Sequence, residues 1–212
     1  MRLVILGPQG AGKGTQSARI VEKYDIPVIA TGDMFRWAIS HENEVGQEAR
    51  DYVRRGRLVP DELTIEIVRG RLSQDDASDG FLLDGFPRTL AQAEALDVIL
   101  EERGQALDAA LAIEVPEEVS LRRLLGRRVC SNCGRNYHLD SPPQDNWTCD
   151  RCGGKVERRA DDDEEATIRE RLKNYHDSTE PLKSYYEERD TLRVIPGEGT
   201  MDEVFDRIVA AL

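Results

Sequence analysis

Three stretches carry residue types at spacings that do chemistry. The first is Gly7-Pro8-Gln9-Gly10-Ala11-Gly12-Lys13-Gly14-Thr15. Its spacing fits G-x-x-x-x-G-K, a phosphate-binding loop. Glycines let backbone N–H groups turn inward toward an anion. A helix N-terminus adds partial positive charge, and Lys13 adds a full one. The strict motif places Ser or Thr directly after the lysine. Here Gly14 follows, and the hydroxyl comes one residue later at Thr15. The second stretch is Leu82-Leu83-Asp84-Gly85-Phe86-Pro87-Arg88. An acid at the end of an apolar strand is where a phosphate-loop protein holds Mg²⁺, usually through water. The third is a set of cysteines, Cys130, Cys133, Cys149 and Cys152: C-x2-C, a fifteen-residue gap, then C-x2-C. In a cytosolic chain this spacing reads as a tetrahedral zinc site rather than two disulfides. Two such pairs exceed what a redox dithiol needs. Four thiolates close the coordination shell, so the metal is expected to be structural.

Each stretch needs elements that aim it. Leu3-Val4-Ile5-Leu6 reads as a buried strand, and Gln16 to Tyr24 as the helix after the loop. Pro27 to Ala30 is a second strand. It runs into Thr31-Gly32-Asp33-Met34-Phe35-Arg36, where Thr31 or Asp33 is a candidate helix cap. Gly46 to Arg55 reads as a polar helix. Asp61, after Pro60, is a candidate N-cap for a helix striped by Leu63, Ile67, Val68 and Leu72. Thr31 to Val59 is then a small helical insertion, poor in large apolar residues. Thr89 with Gln92 reads as a capping box opening a helix to about Arg103. Ala109 to Val115 is the next strand. Pro116-Glu117 starts a helix expected to bear Arg123 and Arg127 four apart on one face. The cysteine module fills roughly Val129 to Glu157, a segment a metal folds without much core. Asp161 to Glu165 suits the first turn of the next helix, on which Arg171 stands one turn after Thr167. Leu192 to Ile195 is the last strand. Thr200 with Glu203 caps a terminal helix whose inner face is Val204, Ile208 and Leu212. Strands alternating with helices predict an α/β fold, a three-layer doubly wound parallel sheet. Ligands bind such sheets at strand C-termini. The phosphate loop, Asp33, Asp84 and the start of the Arg123 helix should therefore converge.

Composition excludes several classes. The chain has 212 residues and 39% hydrophobic content, with no apolar run near the ~18 residues of a membrane span. The N-terminus lacks a basic-then-apolar leader pattern, which predicts a cytoplasmic protein. Net charge is −12, from 41 acidic and 29 basic residues, which argues against general nucleic-acid or anionic-membrane binding. No Ser-His-Asp or Cys-His nucleophile set is apparent. Of His41, His138 and His176, only His138 lies beside the cysteines, as a surface residue or a stand-in metal ligand. Phosphoryl transfer asks mainly for positioning and charge neutralisation, and the arginines near predicted loop ends supply bidentate phosphate donors.

Over essentially its whole length the sequence resembles the adenylate kinase family, in the long form with a zinc-bearing lid. Three pieces carry the resemblance: Gly7 to Gln16, Thr31-Gly32-Asp33 with Arg36, and Leu82 to Arg88 with Gln92. The Gly-Lys-Gly-Thr order is that family's variant of the loop. The resemblance implies a P-loop nucleoside monophosphate kinase fold, with the core at 1–30, 60–128 and 163–212. It implies an AMP-binding region at 31–59 and a zinc-bearing lid at 129–162. It implies reversible Mg²⁺-dependent transfer from ATP to AMP, giving two ADP. Gly10, Ala11, Gly12, Lys13, Gly14 and Thr15 would hold ATP phosphates. Arg123 would lie against the ATP adenine, Arg127 on its phosphates, Asn136 and Tyr137 over it from the lid, and Gly199 at the adenine. Thr31, Arg36, Arg57, Leu58, Val59, Gly85, Phe86, Pro87, Arg88 and Gln92 would hold AMP. Arg159 and Arg171 would reach AMP and the transferred group, with Arg158 an alternative to Arg159. Asp84, with Asp33 nearby, would hold waters on Mg²⁺. The catalytic set would be Lys13, Asp84, Arg88, Arg127, Arg159 and Arg171. ATP, AMP and ADP are the implied partners of a monomer. Thr31 and Gln92 either serve as helix caps, read the adenine edge, or do both. A pyrimidine monophosphate kinase and a zinc-ribbon nucleic-acid-binding ATPase are the competing readings. The hydroxyl at Thr31 favours AMP over UMP or CMP.

Overall fold

The structure is a computed structural model, and it describes residues 1–159 and 165–212. Its centre is a five-stranded parallel sheet. The strands are β1 (Arg2–Leu6), β2 (Val28–Ala30), β3 (Phe81–Asp84), β4 (Ala109–Glu114) and a late strand at Leu192–Pro196, in the order β2-β3-β1-β4 and then the late strand. Alternation sorts the side chains of β1 to two faces. Val4 and Leu6 join a cluster with Leu83, Phe86, Leu96 and Tyr186. Leu3 and Ile5 join Ile20, Leu82, Leu111, Val204 and Ile208 on the other face. Both clusters are sealed by helices, which makes the expected three layers. Burial on both faces explains why the strands read as continuous apolar runs.

The sheet order reverses at β1, whose neighbours β3 and β4 follow it in the chain on opposite sides. Helix α1 (Lys13–Tyr24) therefore starts in the crevice at the carboxyl end of β1. Helices α2 (Thr31–Ser40), α3 (Glu44–Arg54) and α4 (Asp61–Leu72) follow β2. Phe35, Ala49 and Val59 form a small separate cluster there, flanked by Leu63 and Ile67. Only Val68 and Leu72 of the expected α4 stripe reach the main core. Helix α5 (Leu90–Glu101) follows β3, and α6 (Glu117–Gly126) follows β4.

A second, three-stranded antiparallel sheet holds the cysteines: β5 (Arg127–Cys130) lies between β6 (Asn136–His138) and β7 (Val156–Arg158). Helix α7 (Glu165–Asn174) passes into a π-helical turn at Tyr175–Thr179 and then α8 (Leu182–Glu187). The expected acidic first turn of α7 falls, apart from Glu165, outside the described residues. The late strand, β8 (Leu192–Pro196), leads to α9 (Met201–Ala211), which has the expected capping box between Thr200 and Glu203. Val204 and Ile208 of α9 are buried, whereas Leu212 is exposed at the chain end. Among the described residues, no helix is long and apolar enough to cross a membrane.

Three local expectations are corrected. Thr31 is the first residue of α2 rather than its cap; its hydroxyl donates to the Gly85 carbonyl at 2.8 Å instead. Asp61 likewise begins α4 without capping it, because its carboxylate is engaged by α5. Arg123 and Arg127 do not share a helix face. Helix α6 ends at Gly126, and Arg127 is already extended, at φ −65° and ψ 138°, as the first residue of β5.

Candidate active site

The phosphate loop is built by backbone geometry. Gly10 sits at φ +86°, and a Cβ there would stand 2.6 Å from the Ser120 carbonyl oxygen, so α6 packs where only glycine fits. Arg123, on α6, donates to the carbonyls of Gly10 and Ala11 at 3.3 and 3.4 Å and to that of Gly197 at 3.2 Å. It thus ties the loop to the segment leading to Gly199, which precedes the Thr200 cap of α9. Lys13 folds back to donate to the carbonyls of Gly7 and Pro8 at 2.7 and 2.9 Å. Thr15 lies on the first turn of α1, and the buried Gln16 donates to the Met201 carbonyl at 3.0 Å, fixing α1 against α9.

Charges crowd the crevice. Burial pushes the Lys13 ammonium down to about 8; Asp84 opposes the shift, and Arg88, Arg127 and Arg159 add to it. Asp84 ends β3, and burial raises its carboxyl above the usual range against the pull of Lys13, Arg88 and Arg159. Burial lowers Arg88, with Arg171 and Arg36 adding repulsion and Asp84 opposing. Three cations, Lys13, Arg88 and Arg159, therefore act on Asp84, with Arg127 acting on Lys13 and Arg171 on Arg88, an arrangement an anionic ligand would relieve. Of the two candidate lid arginines, Arg159 is the one whose charge acts on Lys13 and Asp84. Arg158 closes β7, exposed and paired in register with Arg128.

The second half of the crevice centres on Gly85. Its carbonyl accepts from Thr31 Oγ1 at 2.8 Å and from Arg88 Nε at 2.9 Å. Phe86 and Pro87 are buried beside it, joined by a cis peptide bond. Arg88 N donates to Gln92 Oε1 at 2.8 Å, so the Gln92 side chain returns one residue short of a true capping box. Thr89 does cap α5, accepting from Gln92 N at 3.2 Å. Arg36 pairs with Asp33 three residues earlier on α2. That pair turns Asp33 toward Arg36, although Asp33 still acts on the charge of Asp84. Arg57 is exposed, its guanidinium 5.5 Å from the Tyr52 ring, while Leu58 lines the cleft and Val59 is buried.

Helix α7 braces the α2–α3 insertion. Arg171 donates to the Val53 carbonyl at 3.5 Å, and Asn174 to that of Gly56 at 2.9 Å. Thr179 donates to the Arg88 carbonyl at 3.0 Å. Asn174, Tyr175 and Thr179 line the cleft beside Lys13, Arg88 and Arg171, yet the sequence reading missed them. Tyr175 and Thr179 lie on a π-helical turn, which breaks the 3.6-residue period used to find helix faces. The cleft itself is narrow, about 30 Å³.

The cysteine sheet closes over the loop. Asn136 Nδ2 stands 3.6 Å from where a Cβ on Gly14 would be. Tyr137 faces its own module: its hydroxyl donates to Cys149 Sγ at 3.3 Å and accepts from Asp150 N at 2.9 Å. That bond holds the Cys149 thiol down to about 6. The two knuckles repeat one design. Gly134 N donates to the Cys130 carbonyl at 3.0 Å, and Gly153 N to the Cys149 carbonyl at 2.9 Å, with both glycines near φ +70°. The four sulfurs lie within 4.8 Å of one another, with Cys130–Cys152 at 3.5 Å and Cys133–Cys149 at 3.6 Å. A tetrahedron of sulfurs 2.3 Å from a metal has edges of about 3.8 Å, so the set fits zinc. His138 does not belong to it. Its ring packs on Gly126, and among the described residues the metal-binding group holds the four cysteines alone.

The adenylate kinase family model matches residues 5–191. An adenylate kinase of Clostridium tetani is 51% identical over 209 residues, covering 98% of this chain and 96% of that protein. One from Clostridium perfringens is 51% identical and covers 100% and 98%. One from Caldicellulosiruptor bescii is 49% identical and covers 100% and 99%.

Proposed function

The chain belongs to the adenylate kinase family, and from that premise we propose that the cleft transfers the γ-phosphoryl group of ATP to AMP. It is a nucleoside monophosphate kinase. An oxygen of the AMP phosphate attacks the γ-phosphorus, and the bond from that phosphorus to the β–γ bridging oxygen breaks. Two ADP result, and the reverse reaction keeps the adenine nucleotides in balance.

The crowding of Lys13, Arg88 and Arg159 around Asp84, with Arg127 acting on Lys13 and Arg171 on Arg88, is the observation that carries the reading. Little covalent work falls to a protein in phosphoryl transfer, so aimed charge is the main contribution. Lys13 and the N–H groups from Gly10 to Thr15 are assigned to the ATP phosphates, with Arg123 and Gly199 toward its base. Thr31, Gly85, Arg88 and Gln92 are assigned to AMP. Asp84, with Asp33, would hold the waters of Mg²⁺, which neutralises phosphate charge when it arrives with ATP. Four thiolates suit zinc, whose work there is to stiffen the module. Residues 31–59 are assigned to closing over AMP, and 129–162 to closing over ATP. Closure excludes the water that would otherwise hydrolyse ATP, and reopening is expected to limit turnover. The contact of Asn136 with the Gly14 position supports that closure. We further assign a cytoplasmic, monomeric enzyme, and the net charge of −12 supports a partner set without nucleic acid or anionic membrane.

The test is ADP formation from Mg-ATP with AMP, CMP and UMP supplied in turn. The reading expects AMP to be preferred by at least about a hundredfold in kcat/KM, as sites that pair a base edge discriminate strongly. Equal rates with CMP and AMP would overturn the base assignment.

A further inference from the structure

Among the described residues Asp61 has two partners, both on the α5 side of the site. Its Oδ1 accepts from Gln92 Nε2 at 2.7 Å, and its Oδ2 from Thr89 Oγ1 at 2.9 Å. At the other end of the same amide, Gln92 Oε1 accepts from Arg88 N at 2.8 Å. The two ends of an amide have the same shape, so its orientation must be fixed by the chemistry of its neighbours. Here both neighbours agree. An ionised carboxylate only accepts, and a backbone N–H only donates. A flipped Gln92 would set oxygen against oxygen and N–H against N–H. Gln92 is 2% exposed, so water does not soften that conflict.

We propose that Asp61 is a positioning residue that sets base choice by fixing the Gln92 amide in one orientation. This rests on the reading of the cleft as the AMP site. An amide has two N–H groups and two oxygen lone pairs, and the two bonds use one of each. The remaining donor and acceptor complement the adenine edge, where N1 accepts and the N6 amine donates. The hypoxanthine edge of IMP is reversed, since its N1–H donates and its O6 accepts. IMP therefore calls for the flipped amide, which Asp61 and Arg88 N oppose. Discrimination of this kind comes from leaving a buried polar group unpaired, not from size.

The experiment first confirms that the wild-type chain forms ADP from Mg-ATP and AMP. Affinities for AMP and IMP are then measured by calorimetry on wild type, Asp61→Ala and Asp61→Asn. In Asp61→Ala, AMP binding is expected to weaken about tenfold while IMP binding stays level or improves. The KM for ATP should stay within about twofold and kcat at saturating AMP within about threefold. Asp61→Asn should recover most of the AMP preference, because its Oδ1 still accepts from Gln92 while the Thr89 hydroxyl turns to accept from its Nδ2. Should Asp61→Ala fail to fold, Asp61→Glu asks the same question: it keeps the charge but moves the acceptor off Gln92, and the preference should again fall. ADP formation by wild type with AMP and IMP weakening in step overturns the role of Asp61 alone. A wild type that forms no ADP from AMP overturns the reading beneath it, and the proposal with it.

Discussion

The phosphate loop and the cysteine sheet face each other, and they are stabilised in opposite ways. The loop stands on β1 and β3, where Leu3, Val4, Leu82 and Leu83 are fully buried between two helical layers. The cysteine sheet buries little beyond Cys130, Cys149 and Val156. One side is fixed by apolar area, the other by four sulfurs placed to share a metal. The difference teaches where each kind of stability suits the work. The surface that aims charge must not yield, so it rises from a packed sheet. The surface proposed to close must separate from the sheet and still keep its own shape, which a cross-link provides without a core.

The comparison breaks most visibly if charge on the packed side is dispensable. Lys13→Ala and Arg88→Ala should each lower kcat by about 10²–10⁴. Melting midpoints should shift little, because each change removes a desolvated cation. A coupled ADP assay with parallel thermal melts checks both halves.

Packing comes next. Leu82→Ala should destabilise the whole chain by about 2–5 kcal/mol, lowering a transition seen equally by far-UV signal and by activity. Cys149→Ser should instead release the cysteine sheet alone, so the tryptophan signal of Trp147, which packs on that small core, changes before the far-UV signal does.

A third test uses pH. Lys13 titrates near 8 in the folded chain, below the usual lysine value of 10.5. The folded chain then binds fewer protons than the unfolded chain between those values, so this lysine's contribution to stability rises with pH across that window. Function runs the other way. Above about pH 8, kcat/KM for ATP should fall about tenfold per unit as the phosphate-binding cation is lost. Lys13→Arg should remove the bend near 8, and a bend that survives would detach it from Lys13.

The smallest effect belongs to the contact between the two sides. Asn136→Ala should raise the KM for ATP about three- to tenfold and leave kcat near normal. A fall in kcat with KM unchanged would mean that Asn136 acts on the transfer step rather than on closure.

What the sequence made legible follows the same division. The sheet was legible because burial on both faces writes runs such as Leu3 to Leu6 and Phe81 to Leu83, which hardly resemble anything else. The knuckles were legible because Gly134 and Gly153 mark the two turns that present the thiols. Less legible were residues whose role lies in a partner distant in the chain. Thr31 and Asp61 have cap-forming chemistry and stand at helix starts, but Gly85 and Gln92 engage them instead. Arg127 kept its helical spacing from Arg123 on paper, while the end of α6 at Gly126 turned it into a strand. Spacing reports periodicity within an element and is blind to where that element stops. Tyr175 and Thr179 were invisible for a related reason, since the π-helical turn changes the period itself.

The division of labour is tested most directly by removing the metal from the wild-type chain. Metal content, melting midpoint and ADP formation at moderate temperature are measured on one sample before and after chelation. The account predicts about one tetrahedrally bound metal per chain, a midpoint lowered by roughly 5–10 °C, and turnover within about threefold of the starting value. Turnover abolished in a chain that keeps its far-UV signal would contradict it, because the metal would then be serving the transfer and not the fold.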